Sequence, residues 1–354
     1  MKKLLCILCM ALSLVACDKN DNPQNKPVVK IGVMLPLSGD MANYGDATKR
    51  AIKMVRQDTQ DTKNHYKFIL EDSGTDTAKA STIIRKLVFT DKINAVMGYI
   101  SSTAMVAAPI TEENKIPSIW YVSAPEASVG EYNFRLYPDI ITAAKMISSK
   151  IKSENKKNIA IIYQNIPSMN YLVADMLPTF KQELKIVLNE NFVPDEKNFF
   201  ALIQKIKSVN PDYIVFEATP PETDIFFKQM RENNVNIPVT GFQLLGMTSN
   251  LEILDGAWDV DSAQSNPDFQ TRYKQMGGTD NLFYADYVYT MLMALINGFE
   301  NAGPDNMDEF IAAAAKTESP IGKMEVNSDK DLVIHNHIYQ HVVNGKKRSY
   351  GKVK

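Results

Sequence analysis

From Val28 onward the chain alternates short apolar segments with amphipathic helical patterns, and this alternation limits the folds open to it. The predicted strands are Val28–Leu35, Tyr66–Glu71, Ile93–Met97, Ser118–Val122, Asn158–Tyr163, Ile186–Asn191, Tyr213–Phe216 and Ile237–Thr240. The predicted helices between them are Asp46–Gln57, Thr77–Thr90, Thr103–Asn114, Ile140–Ser153, Tyr171–Leu184, Phe199–Ser208 and Glu222–Asn233. Strands that alternate with helices form parallel sheets covered on both faces, so the sequence predicts a doubly wound α/β fold.

A polar stretch at Ser153–Asn158 divides this alternation into two similar halves. The chain of 354 residues is long enough for two domains, and we therefore predict two αβα lobes instead of one wide sheet. The last third carries three further helices and two strands. They are predicted at Pro267–Met276, Tyr284–Asn301, Met307–Ala315, Lys323–Asn327 and His335–Val343.

The first residues have the layout of an export signal. A basic start is followed by an apolar run, Leu4–Ala16, which is shorter than the about 20 residues that span a bilayer. Cys17 follows Leu14 and Ala16 and resembles the lipidated cysteine of bacterial lipoproteins, which fits better than an ordinary secretory signal. We expect residues 1–16 to be removed, Cys17 to carry lipid and residues 17–27 to form a flexible tether. The other cysteines, Cys6 and Cys9, lie in the signal.

Composition and motifs exclude several classes of function. The 39 basic and 41 acidic residues give a net charge of −2, so there is no basic excess for nucleic acid. The chain contains neither a P-loop nor a G-x-S-x-G elbow, and the S-x-x-K match at Ser153–Lys156 lacks its usual partners. We therefore predict no enzyme activity and no cofactor. His335, His337 and His341 could bind a metal, but an exposed strand face is the favoured interpretation.

Ligands of doubly wound folds bind outside the carboxyl ends of the strands. The loops at these ends are Ser38–Tyr44, Gly98–Thr103, Ser123–Glu126, Glu217–Glu222 and Gly241–Leu244. Within the second loop, Ser101 and Ser102 precede a predicted helix, whose first N–H groups and dipole favour an anion. A simple N-cap is the alternative explanation for these serines.

A series of segments from Lys30 to about Gly345 follows the pattern of a known family. They are Lys30–Gly39, Tyr44–Gly45, Glu71–Asp72 with Asp76, Val96–Gly98 with Ser101–Ser102, Ser123–Glu126, Phe134–Arg135, Asn158–Tyr163 and Pro211–Val215. In order and spacing they resemble the Leu/Ile/Val-binding proteins, which are type I periplasmic binding proteins of ABC transporters. The resemblance implies two hinged lobes that close on a small ligand in the manner of a Venus flytrap.

The resemblance also implies a set of ligand-binding residues. By analogy, Ser102 and Ser123, with Ser101 beside them, hold the ligand carboxylate, and the carbonyl group of Tyr121 accepts from an ammonium group. Tyr44 lies against the ligand side chain, and Thr219 and Gln243 close from the second lobe. The family often has a glutamate where this chain has Gln243, which makes Glu217 the candidate for a compensating charge.

Together these expectations divide the chain into two lobes and a tail and predict one class of protein. The first lobe comprises 28–144 with about 264–320, the second comprises 145–263 with about 321–345, and 346–354 form a basic, frayed tail. The expected protein is a monomeric, lipid-anchored, substrate-binding component of an ABC importer. It binds an amino acid or a related small carboxylate or amide and delivers it to permease and ATPase subunits.

Its expected location is the periplasmic face of the inner membrane in a two-membrane bacterium, because Asp18 resembles a retention signal, and otherwise the outer face of the cell membrane. Two alternatives remain open. One is an amide or urea sensor. The other is an envelope lipoprotein that regulates a cell-wall enzyme, and it gains support if Trp120, Tyr121 or Met169 fill the cleft.

Overall fold

The computed structural model describes residues 26–38, 42–248, 250–262, 265–282 and 284–352. The predicted signal and the predicted lipidation site at Cys17 lie outside these residues. None of the helices in the described ranges is long and apolar enough to cross a membrane.

A seven-stranded sheet with helices on both faces forms the first lobe. In spatial order its strands are β11 (Met324–Val326), β12 (Leu332–Ile334), β5 (Asn133–Pro138), β4 (Ser118–Tyr121), β3 (Ala95–Gly98), β1 (Val28–Leu35) and β2 (His65–Asp72). All pairings are parallel except that of β11 with β12. The helices are α1 (Ala42–Asp58), α2 (Thr77–Arg85), α3 (Ser101–Glu113), α9 (Pro267–Gln275), α10 (Ala285–Asn301) and α11 (Met307–Ala315). A π-helical segment, Lys86–Asp91, continues α2.

The second lobe is built on two smaller sheets. One has the order β7 (Lys185–Phe192), β6 (Asn158–Gln164), β8 (Tyr213–Glu217) and β9 (Val239–Thr240). The other consists of β10 (Trp258–Ser262), β13 (His337–Val343) and β14 (Lys346–Lys352), and a bridge between Phe242 and Val260 connects the two. The helices are α4 (Ile140–Ser153), α5 (Pro167–Glu183), α6 (Phe200–Val209), α7 (Glu222–Glu232) and α8 (Leu244–Met247), with 3₁₀ turns at Pro125–Ser128 in the first lobe and Leu251–Leu254 in the second.

Separate apolar cores stabilise the two lobes. In the first lobe, one buried cluster lies under α1, α10 and α11 and another under α2 and α3. In the second lobe, one cluster lies under α4 and α5 and another under α6 and α7. This arrangement confirms the predicted doubly wound α/β fold with two lobes.

The assignment of residues after about 321 to the second lobe is only partly right. Strand β12 pairs in parallel with β5, and β11 pairs with β12, so both extend the sheet of the first lobe. The predicted strand His335–Val343 corresponds to β13 alone, and β12, which precedes it, was not predicted. The chain crosses between the lobes at His335 and Asn336. The chain also crosses between the lobes after β5 and after β10.

The prediction of a frayed tail from 346 is wrong for the described part, because β14 pairs antiparallel with β13. Asn344 and Gly345 both have positive φ values, 53° and 65°, at the two central positions of the connecting turn. An Asn-Gly pair with this backbone makes the two-residue turn that suits a β-hairpin.

His335 and His337 lie at the crossover between β12 and β13, and the prediction of an exposed strand face is wrong for His337, which is buried. His335 precedes β13, and its Nδ1 lies 2.9 Å from Asp139 Oδ2. His337 is 8% exposed, and its Nε2 lies 2.8 Å from the Asp139 carbonyl oxygen. Among the described residues no group of three ligating side chains could hold a metal ion.

Burial of His337 predicts a loss of stability in acid. Burial lowers the pKa of His337, although the Asp139 backbone and charge oppose the shift. A lowered pKa means that the fold favours neutral imidazole, so its contribution is present above the ordinary pKa and is lost as the pH falls through the lowered one. We expect the free energy of unfolding in urea to fall less for His337→Gln than for the wild type when the pH is lowered from about 7.5 to about 5. Equal losses in both proteins would contradict this assignment.

Candidate ligand site between the lobes

The candidate residues converge where the carboxyl ends of the two parallel sheets face each other. Tyr121 ends β4, Ser123 follows it, and Ser101 and Ser102 begin α3. On the other side, Glu217 ends β8, Thr219 follows it, and Gln243 precedes α8. This is the edge at which doubly wound folds bind ligands.

Five tyrosine rings form a continuous aromatic cluster on the first-lobe side of this cleft, and sequence reasoning identified only two of them. The ring of Tyr284 is central, with centroid distances of 5.9 Å to Tyr44, 5.8 Å to Tyr99, 5.7 Å to Tyr121 and 5.5 Å to Tyr287. Tyr121 and Tyr287 are 4.3 Å apart. Burial raises the pKa of each phenol, so the hydroxyl groups are neutral donors and acceptors.

Gln243 joins the second lobe to this cluster. Tyr121 Oη donates to Gln243 Oε1 at 3.1 Å, and Gln243 Nε2 donates to Ser262 Oγ at 3.3 Å and to Tyr287 Oη at 3.4 Å. Tyr287 in turn donates to Ser262 Oγ at 2.6 Å. The structure therefore brings Tyr121 and Gln243 together through the Tyr121 hydroxyl group, whereas the expected ligand contact of Tyr121 is made by its carbonyl group.

A second contact between the lobes involves Ser123. Its hydroxyl group donates to the Ser168 carbonyl oxygen at 2.8 Å, and Tyr171 on α5 donates to Glu126. The Ser123 carbonyl oxygen accepts from Arg135 Nη1 at 2.8 Å. In this conformation the Ser123 side chain therefore connects the lobes directly.

The serines at the start of α3 lie beside the aromatic cluster but do not cap the helix. Ser101 is 5% exposed, Ser102 is partly exposed, and the N-cap position is Ile100. No described side chain makes a capping hydrogen bond to this helix, so the simple N-cap explanation is wrong. Its N-terminus keeps the positive end of the helix dipole directed toward the cleft.

Two of the predicted second-lobe residues form hydrogen bonds within their own lobe. Thr219 bonds through both its N–H and its hydroxyl group to Gln164 Oε1, at 3.2 and 2.8 Å. Glu217 is 2% exposed, and its Oε1 accepts from the Phe242 N–H at 2.7 Å. Glu217 therefore supports the loop that carries Gln243, and the charge of Asp261, next to Ser262, contributes to the raised pKa of Tyr284.

Of the three side chains that could fill the cleft, only Tyr121 enters it. Trp120 is fully buried in the first lobe, and its Nε1 donates to Asn133 Oδ1 at 3.2 Å. Met169 belongs to the core of the second lobe.

Comparison with known proteins places this geometry in a family. The family profile described as periplasmic binding protein matches residues 28–346. The chain therefore belongs to the periplasmic binding protein family, as the segments from Lys30 onward predict. Proteins of this kind bind solutes and are not enzymes, which agrees with the predicted absence of catalysis.

Individual relatives agree with this assignment. The leucine-, isoleucine-, valine-, threonine- and alanine-binding protein of Pseudomonas aeruginosa is 22% identical over 336 residues, covering 86% of this chain and 87% of that protein. A leucine-binding protein of Thermotoga maritima superposes with a TM-score of 0.79 at 21% identity, covering 91% and 98% of the two chains. A solute-binding protein of an ABC transporter from Rhodopseudomonas palustris, in complex with p-hydroxybenzoic acid, has a TM-score of 0.78 at 18% identity, covering 90% and 95%. These structures share the two-lobed fold.

Proposed function

We propose that this periplasmic binding protein is the lipid-anchored substrate-binding component of an ABC importer. The observation that carries the proposal is the cleft itself, where Gln243 of one lobe meets Tyr121 and Tyr287 of the other. Lipid on Cys17 would hold the lobes near the permease and ATPase subunits that receive the solute.

The proposed ligand is an amino acid or another small carboxylate, and the chemistry of the cleft supports this class. The N-terminus of α3, with Ser101 and Ser102, suits a carboxylate. The tyrosine cluster offers apolar ring faces and neutral hydroxyl groups to the rest of the ligand. Gln243 offers an uncharged amide instead of a carboxylate, so the ligand class extends to carboxylates without an α-ammonium group, such as the hydroxybenzoate bound by the Rhodopseudomonas protein.

Two observations favour the second candidate, an envelope protein that regulates a cell-wall enzyme through its surface. Tyr284 packs against all four other rings of the cluster, and Ser123 already bonds to Ser168 of the other lobe. A cleft closed by its own side chains would leave no space for a solute.

Thermal denaturation with candidate ligands separates these proposals. A ligand at about 100 times its Kd stabilises the folded state by about 2.7 kcal/mol, which is a readily measured rise in Tm. We expect such a rise with at least one amino acid or hydroxybenzoate, and an affinity about tenfold weaker in Gln243→Ala, because a buried hydrogen-bonding group is lost.

The matched control for this experiment is Lys205→Ala, which removes a surface lysine of the same lobe and should leave the ligand affinity unchanged. If no amino acid, amide or benzoate raises Tm although the protein is folded, the import proposal fails and the interaction protein gains. If Gln243→Ala binds as tightly as the wild type, the ligand lies elsewhere.

A further inference from the structure

Gln243 reaches across the cleft from an unfavourable backbone conformation. Its φ is 56° and its ψ is 11°, in the left-handed region that non-glycine residues seldom occupy. A residue keeps such a conformation only when its surroundings hold it there. The neighbouring groups must therefore hold the segment Gly241–Leu245, which we call the Gln243 loop.

Two buried carboxyl groups accept hydrogen bonds from this loop on either side of Gln243. Glu217 Oε1 accepts from the Phe242 N–H at 2.7 Å, and Asp259 Oδ2 accepts from the Leu245 N–H at 2.7 Å. A side chain at Gly241 would not fit, since its Cβ would lie 2.6 Å from the Phe216 carbonyl oxygen and 3.0 Å from Glu217 Oε1. The absence of a side chain there lets the Glu217 carboxyl group come close to the loop.

We propose that Glu217 and Asp259 are positioning residues that act as neutral carboxylic acids, clamping the Gln243 loop so that the Gln243 amide reaches Tyr121 and Tyr287 of the first lobe. The clamp itself is independent of the ligand. That the clamp also supports ligand affinity, by holding Gln243 in place, rests on the proposed function.

The neutral state follows from burial and from the charges nearby. Glu217 is 2% exposed and Asp259 is fully buried, and neither carboxyl group takes part in an ion pair among the described residues. A buried carboxylate without a cation is costly and takes up a proton instead. Burial raises the pKa of both groups well above the ordinary range, and the mutual repulsion of their charges raises the pKa of Glu217 further.

Hydrogen-bonding atoms on β10 and β13 independently favour a proton on Asp259. Asp259 Oδ1 is buried without a described partner, and so is Gln340 Oε1. Asp259 and Gln340 are directly opposite each other in the antiparallel pair, which places their side chains on one face as neighbours. Two acceptors cannot bond to each other, whereas a protonated Asp259 Oδ1 supplies the donor that Gln340 Oε1 lacks.

The other titratable groups around the clamp do not remove this need for protons. Asp261 on β10 raises the pKa of Asp259, and Lys347 on β14 lowers it without overcoming burial. His337 on β13 faces Phe242 edge-on with a centroid distance of 5.8 Å, and burial lowers its pKa, so it is neutral. Asp224 on α7 accepts from Thr248 at 2.6 Å, beyond the C-terminal end of α8.

Amide hydrogen exchange of Phe242 and Leu245 tests the clamp, with alanine and amide variants compared. Glu217→Ala and Asp259→Ala remove an acceptor, and we expect about tenfold faster exchange of Phe242 and Leu245 respectively. Glu217→Gln and Asp259→Asn keep a neutral acceptor and should preserve protection at neutral pH. Glu222→Ala is the matched control, because Glu222 is 3% exposed and accepts from the Asp195 N–H in the same lobe.

The dependence on pH separates a neutral clamp from an ionised one. An acid with a raised pKa contributes stability that is fully present below its ordinary pKa and is lost as the pH rises through the raised one. Protection of the wild-type loop, corrected for intrinsic exchange, should therefore fall in alkali, and the Glu217→Gln/Asp259→Asn double variant should not show this fall. The wild type should also show the infrared C=O band of a protonated acid at neutral pH, absent from the double variant.

Three results would overturn the proposal. They are an absent acid band in the wild type, amide variants that exchange as fast as the alanine variants, and protection of Phe242 and Leu245 that is unchanged in the alanine variants. A parallel titration with L-leucine distinguishes failure of the ligand proposal, because a wild type that ignores L-leucine can still show the clamp by exchange and infrared spectroscopy.

Discussion

Asp331→Ala should lower the free energy of unfolding by about 3–5 kcal/mol, because it leaves a buried guanidinium group without its counterion. Asp331 is fully buried, and its two oxygens accept from Arg135 Nε at 2.9 Å and Arg135 Nη2 at 2.5 Å. The pair joins β5 to the start of β12, two strands that are far apart in sequence. Urea denaturation at neutral pH measures the loss.

The same substitution should disturb the cleft, since Arg135 Nη1 also donates to the Ser123 carbonyl oxygen at 2.8 Å. Lys205→Ala is the control, because the Lys205–Glu190 pair at 3.0 Å is largely exposed and should contribute at most about 1 kcal/mol. A loss for Asp331→Ala no larger than that of the control would contradict the assignment of this pair as a buried support of the cleft.

Trp120→Ala should destabilise the first lobe by about 3–5 kcal/mol through loss of burial and formation of a cavity. Trp120 is fully buried between β3 and the helices on that face, and its ring lies 3.0 Å from the position of a Cβ on Gly98. Asn133 Oδ1 would keep its bonds from Thr111 and Ser118, so the cost comes chiefly from packing.

The Trp120→Ala variant also distinguishes a tryptophan that packs in the core from one that fills the cleft. Phe89→Ala is the control, because Phe89 is 50% exposed and its truncation should change stability by about 0.5 kcal/mol or less. Unfolding is followed by circular dichroism. A folded Trp120→Ala protein of wild-type stability that gains affinity for a small carboxylate would show that Trp120 blocks the site.

Strands and helices with strong periodicity are predictable from this sequence. The predicted limits of β1 and α11, Val28–Leu35 and Met307–Ala315, agree with the structure. The sheet membership of β11 and β12 was not predictable, because three-residue strands carry no signal for the sheet that they join. Strand β14 was missed because Lys346–Lys352 is mostly polar, although the Asn344-Gly345 pair was available as a hairpin signal.

The candidate site was predictable in position but not in composition. Strand-end loops identified Ser123 and Gln243, because ligand sites of parallel sheets lie at that edge, and the family resemblance added Tyr121. Tyr284 and Tyr287 lie at the start of α10, far along the chain, and nothing local in the sequence distinguishes them from core residues. The support of the Gln243 loop by Glu217 and Asp259 depends on contacts between strands, which spacing alone does not specify.

Calorimetric titration of the purified protein with L-leucine, L-isoleucine and 4-hydroxybenzoate tests the central claim most directly, combined with mass spectrometry of small molecules released on denaturation. The proposal of a solute-binding cleft predicts saturable binding of one carboxylate per chain, or a carboxylate already released from the purified protein, and weaker binding in Gln243→Ala. A folded protein that releases no small molecule and produces no binding heat with these carboxylates, or with the other amino acids and amides, would contradict it.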